Sequence, residues 1–250
     1  MRADVLLCLA AVAAAPASAL ADPPHVARKP KLVEPHLHLA RSKIPAGRVA
    51  LTLDACGGHT DYRILDALVE NRIPATIFVT GIWLRRNAKA LAIVEAHPDL
   101  FELEDHGDRH LAAVDVQTKV YGVKAAGSAE GVKTEVENGA AALEAAGGPT
   151  PHWFRGATAK YSASAIALIH QLGYRIAGYS LNADGGSLLG AAMTEKRVAR
   201  AKDGDVIIAH INQPTHAAGA GLVKGLLALK ARGVTFVRLE DAQEVEGAGS

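Results

Sequence analysis

Cysteine is almost missing from this chain of 250 residues, where only Cys8 and Cys56 occur. Cys8 falls inside an apolar leader, so no disulfide framework can staple the fold. Stability has to come from a packed core and from any metal the chain binds. Aromatic residues are scarce as well, at 4%, which argues against an extended stacking platform for single-stranded nucleic acid. Neither sign of charge is in excess. Lys+Arg number 27 and Asp+Glu 26, so no bulk field draws the chain to nucleic acid or to an anionic bilayer. Long hydrophobic runs are also lacking. The one apolar stretch, Val5 to Ala15, falls well short of the roughly 20 residues a membrane span requires.

What is present at the start is Met1-Arg2, that apolar run, a break at Pro16, and the small-residue patterns Ala17-Ser18-Ala19 and Ala19-Leu20-Ala21. This is the pattern of a cleavable secretory signal over residues 1–21, cut after Ala21 or after Ala19. It predicts a protein that is periplasmic or secreted. Residues 22–46 contain Pro23, Pro24, Pro30, Pro35 and Pro45 and read as a linker or an arm wrapped on the surface. One domain is expected over 47–241, with a tail at 242–250, in a chain that works as a monomer.

From Arg48 onward, strand-like and helix-like segments alternate. Strands are predicted at 48–54, 74–80, 100–104, 151–155, 174–181, 205–211 and 234–239, each short, apolar or β-branched, and bounded by Gly, Pro, Asp or Asn. A helix starting at Thr60 is predicted from Ile64, Leu65, Leu68 and Val69 at helical spacing. Others are expected at 87–97, 130–146, 162–172, 194–201 and 219–232. Residues 112–129 read as a loop with a short helix. Such alternation over one domain length predicts an α/β fold, a distorted and incomplete (β/α) barrel of about seven parallel strands, with one strand missing or misread.

The chemistry-bearing residues recur at one kind of place. Asp54 ends the first strand, His106 and His110 follow the third, Arg155 ends the fourth, Asp184 follows the fifth and His210 ends the sixth. In a β/α barrel the C-terminal strand ends converge on one face, so these six can meet in one pocket. His106 and His110 form an H-x-x-x-H pair, either two ligands for one cation or two solvated loop histidines. Imidazole suits zinc, cobalt, nickel or iron, and Glu104 and Asp105 lie beside the pair as candidate supporting partners. Asp54 closes an apolar strand, where an unpaired charge is expensive. It reads as a metal ligand, a general base or a capping residue. His210 is either a general acid or a satisfied buried histidine. Arg155 and Asp184 are equally compatible with salt-bridge and turn roles. Cys56, between Ala55 and Gly57, reads as a small buried residue.

Together these segments resemble the polysaccharide deacetylases, the NodB-homology domain or carbohydrate esterase family four, over roughly residues 48–240. Leu51-Thr52-Leu53-Asp54 resembles the family's T-F-D-D motif. Residues 73–81 resemble its A-T-F-F-V-x-G strand. Asp105-His106-Gly107-Asp108-Arg109-His110 is similar to its N-H-T-x-x-H metal motif, Phe154-Arg155-Gly156 to F-R-P-P, and Ile207-Ile208-Ala209-His210 to L-L-H. Residues 179–184 take the place of its fourth motif. The resemblance implies hydrolysis of N-acetyl or O-acetyl groups on a cell-envelope or extracellular polysaccharide. It implies a divalent metal, foremost zinc, on His106 and His110. It makes Asp54 the base, His210 the acid, and Arg155 and Asp184 their supports. Ala55 stands where the family has its second aspartate, a metal ligand. The third ligand is then Asp54 itself, water, His59 or Asp61. The alternatives to a deacetylase are an inactive carbohydrate-binding homologue and an amidase or esterase on a non-sugar acyl substrate.

Overall fold

The computed structural model describes residues 31–242 together with the strand at 245–246. The proposed signal peptide lies outside the described residues, as does most of the proposed tail. Eight parallel strands form the main sheet: β1 (Arg48–Ala55), β2 (Ala75–Val79), β3 (Phe101–Asp105), β4 (Trp153–Phe154), β5 (Arg175–Ile176), β6 (Leu181–Asn182), β7 (Val206–His210) and β8 (Thr235–Val237). Seven of them run in the order β5-β4-β3-β2-β1-β7-β6, and β8 pairs with the first residues of β1. Around them lie α1 (Tyr62–Glu70), α2 (Gly81–Arg86), α3 (Ala88–Glu95), α4 (Ala129–Ala145), α5 (Ala163–Gln171), α6 (Ala191–Val198) and α7 (Ala218–Ala231). Among the described residues, no helix is long and apolar enough to cross a membrane.

The two ends of that path, β5 and β6, are neighbours in sequence. Ala177 N–H bonds Phe154 O on one side, and Ser180 N–H bonds Val206 O on the other, each at 3.0 Å. A few residues span only about 3.5 Å each, so the sheet must curl until its edges nearly meet. The predicted strand at 174–181 is therefore two strands at opposite edges, which accounts for the strand missing from the expected barrel. Its apolar composition is that of one run, but the chain turns at Gly178. A Cβ on Gly178 would sit 2.3 Å from the Pro35 carbonyl oxygen, so only glycine fits where the arm crosses.

The described part of the arm, residues 31–46, packs against the domain. Leu32–Val33 pairs with Tyr161–Ser162, and His38–Leu39 with Val245–Glu246. Leu37 and Leu39 are buried inside the barrel with Ala50, Phe78, Trp153 and Val206. Val49, Leu51, Leu53 and Ala55 point the other way, into the core between sheet and helices, with Ile77, Val79, Ile207 and Ala209. The period-two alternation thus sends even positions of β1 and β7 inward and odd positions outward.

Two local expectations are corrected. Residues 112–128 contain no helix, and α4 takes up Ala129. They form a hairpin, Lys119–Val120 against Val123–Lys124, whose turn residues Tyr121 and Gly122 both have positive φ, at 50° and 83°. That is the primed two-residue turn that matches strand twist. The helix α2 was not predicted, because its six residues begin at a glycine directly after a strand. Thr80 starts it by accepting a hydrogen bond from Trp83 N–H.

Glu102 and Glu104 both point into the lower barrel. Glu102 accepts from Thr76 Oγ1 at 2.5 Å, and Glu104 accepts from the backbone N–H groups of His152 and Trp153 at 2.9 and 2.8 Å. Burial, and the neighbouring Glu102 carboxylate, push the Glu104 carboxyl up to about 9. A carboxyl held protonated in the fold but ionised in the unfolded chain destabilises progressively as pH rises above about 4.5. The urea midpoint is therefore expected to fall between pH 5 and pH 9. Glu104→Gln, which keeps the acceptor, should flatten that slope, and an unchanged slope would show that Glu104 ionises freely.

Candidate active site

The structure brings all six predicted residues to the C-terminal end of the sheet. Asp54, His106, His110 and His210 line one cleft of about 490 Å³, together with Cys56, Glu34, Tyr121, Leu188 and others. Arg155 and Asp184 lie directly behind it. A larger cavity of about 640 Å³ lies at the N-terminal ends of β3 and β4 and has none of the six in its wall.

Arg155 is wholly buried and fully engaged. Its Nη1 donates to Asp54 Oδ1 at 2.9 Å and to Thr52 Oγ1 at 2.8 Å, and Nε and Nη2 donate to Ala177 O and Gly178 O at 3.0 Å each. The guanidinium also lies 4.3 Å from the centre of the Phe78 ring. Burial alone would raise the Asp54 carboxyl. The positive charge of Arg155, helped by His106 and His210, outweighs it and holds the group below the usual carboxylate range. Asp54 Oδ2 is 3.9 Å from His106 Nε2.

His106 Nδ1 donates to the Arg155 carbonyl oxygen, 2.5 Å away. With a carbonyl there, Nδ1 keeps its proton and Nε2 faces the cleft, where it would give up its own proton on binding an ion. The expected partners behave differently. Asp105 does not touch the ring; its Oδ1 accepts from Gly107 N–H at 2.8 Å and braces the loop. Glu104 faces the lower barrel. A residue not anticipated, Glu135 on α4, accepts from Arg109 N–H and Leu111 N–H at 2.9 and 3.0 Å. Gly139, one helical turn on, brings α4 close: a Cβ there would lie 2.2 Å from Asp105 Oδ1. These contacts hold His110 in a left-handed backbone conformation, φ 57°, and place its ring centre 5.2 Å from that of His106.

His210 Nδ1 lies 3.1 and 3.2 Å from the two carboxylate oxygens of buried Asp184, whose Oδ2 also accepts from His210 N–H at 2.7 Å. Burial would lower the ring, but Asp184 and Cys56 outweigh it and hold it well above the ordinary histidine range. The proton on Nε2 is the one left facing the cleft.

The sequence reads Cys56 as a small buried residue. Instead its Sγ faces the cleft 3.6 Å from His106 Nε2. Cys56, His106 and His110 each offer one ligand atom, all within 4.8 Å of one another. Asp54 stands beside this group and not in it. Asp61, another candidate third ligand, is engaged by Arg63 and caps α1. Metal–sulfur and metal–nitrogen bonds of about 2.3 and 2.1 Å at a tetrahedral angle put their ends about 3.6 Å apart, so the donor set fits a divalent ion.

The family profile for polysaccharide deacetylase matches residues 41–177. The chain belongs to that family. No curated protein sequence matches it. Solved structures do. A deacetylase called T48, in a structure with substrate, is 26% identical with a TM-score of 0.62, covering 78% of this chain and 90% of that one. A family 4 carbohydrate esterase from Streptomyces lividans, in complex with acetate, is 20% identical with a TM-score of 0.62 and covers 82% and 98%. A family 4 pseudoenzyme from Bacillus anthracis is 18% identical with a TM-score of 0.64 and covers 81% and 67%.

Proposed function

We propose that the protein hydrolyses acetyl groups, foremost N-acetyl, on a sugar polymer outside the cytoplasm, with a divalent ion at His106 and His110. One observation carries this reading. The Asp54 carboxylate, paired to Arg155, and the His210 ring, paired to Asp184, project from the adjacent strands β1 and β7 into the cleft that holds the two imidazoles. A base and an acid kept in opposite protonation states flank one reacting centre. A bound ion supplies Lewis acidity, polarising the acetyl carbonyl and acidifying water.

Asp54 Oδ2 accepts the proton of the attacking water as its oxygen bonds to the carbonyl carbon. Its other oxygen stays fixed on Arg155. His210 Nε2 then gives its proton to the amine nitrogen as the carbon–nitrogen bond breaks, releasing acetate and a free amine. Asp184 balances the imidazolium charge before that transfer. Tyr121 and Leu188 are 78% and 79% exposed on the cleft rim, where an apolar sugar face has surfaces to lie on.

Purified protein supplied with zinc or cobalt should release acetate from chitooligosaccharides or peptidoglycan fragments. A chelator or His106→Ala should abolish release. Ala55 favours a second reading, an inactive carbohydrate-binding homologue. Saccharide binding that ignores the chelator, with no acetate released under any divalent ion, would establish that reading instead.

A further inference from the structure

We propose that Cys56 is the third protein ligand of the metal site, so that the chain grips its ion with two imidazoles and one thiolate. The inference deepens the metal reading of His106 and His110 and rests on it. The alternation of β1 carries it first. Thr52 and Asp54 face into the barrel, Ala55 is packed with Leu53 in the core on the helix side, and the next inward position is Cys56. The residue that stands where the family pattern has a carboxylate is thus turned away, and the sulfur arrives from one position further on.

Distances carry it second. The 3.6 Å from Sγ to His106 Nε2 is the edge that a tetrahedral ion with these two donors requires. The segment is also braced in advance. Cys56 O accepts from Thr80 Oγ1, Gly57 O from Arg86 Nη1 at 3.0 Å, and Gly58 O from Asn87 Nδ2 at 3.1 Å. The nearest carboxylate, Asp54, is committed to Arg155 through one oxygen, which leaves it to proton transfer.

On binding, the metal–sulfur bond forms as the thiol proton leaves to solvent. A thiolate in the set favours zinc and cobalt over magnesium, calcium and manganese, which prefer oxygen donors. The test is cobalt(II) titration of the metal-stripped protein without oxygen. A sulfur-to-cobalt charge-transfer band in the near ultraviolet should saturate at one equivalent. Cys56→Ser should abolish that band. Cys56→Asp should abolish it too while keeping the visible cobalt bands. Zinc at about ten times its dissociation constant should slow alkylation of Cys56, followed by mass spectrometry of its peptide, about tenfold. Visible bands without the near-ultraviolet band, with alkylation indifferent to zinc, would refute the thiolate and leave the histidine site standing. A full band in protein that releases no acetate would leave the thiolate standing and overturn the deacetylase.

Discussion

Asp54→Asn should lower kcat for acetate release by roughly 10²- to 10⁴-fold, the range spanned by loss of a positioned proton acceptor. The side chain is 6% exposed, and Arg155 Nη1 holds Oδ1 at 2.9 Å. Asparagine can present its carbonyl oxygen to the same donor and occupy the same space, but it cannot take a proton from water. Rates are to be compared well below the unfolding midpoint of each variant, because Arg155 loses its counter-charge and some stability goes with it. Turnover per folded molecule equal to that of the wild type would reduce Asp54 to a structural partner of the arginine.

Arg155→Met should be the most destabilising single change at the site. It leaves the Asp54 carboxylate buried without its partner, and breaking one side of a buried pair costs about 3–5 kcal/mol. It also strips donors from Thr52 and from the carbonyls of Ala177 and Gly178. For a domain of this size the thermal midpoint should fall on the order of 10 °C. Asp54→Leu combined with Arg155→Met should recover part of that loss, since an apolar pair of similar volume removes the stranded charge. The double variant should remain inactive. Lysine should not rescue position 155, because a single ammonium cannot reach four acceptors arranged for a planar fork. A midpoint for Arg155→Met within a degree or two of the wild type would contradict the hydrogen-bond inventory.

The barrel and the convergence of the six polar residues were legible because both are periodic. Strand ends recur in the chain, and a polar residue at each strand end is visible against apolar neighbours, as with His210 after Val206-Ile207-Ile208-Ala209. What was not legible depended on contacts between distant segments. Glu135 sits among the charged residues of α4 and looks like part of a solvated face. Only the approach of the His106–His110 loop makes it buried. Cys56 lay beyond the predicted end of its strand, so its inward direction was overlooked, although counting two from Asp54 would have found it. The run 174–181 reads as one strand because composition does not record which edge of a sheet a residue joins.

The arm that crosses Gly178 bears on how this domain survives at high concentration. Leu37 N–H bonds Tyr179 O between β5 and β6, and Leu39 N–H bonds Gly204 O just before β7, so the protein's own chain crosses the open side of the sheet. Bare edges of that kind template pairing with other molecules. Residues 31–39 cover part of that opening, and cutting the chain back to Arg48 is expected to raise light scattering at high protein concentration.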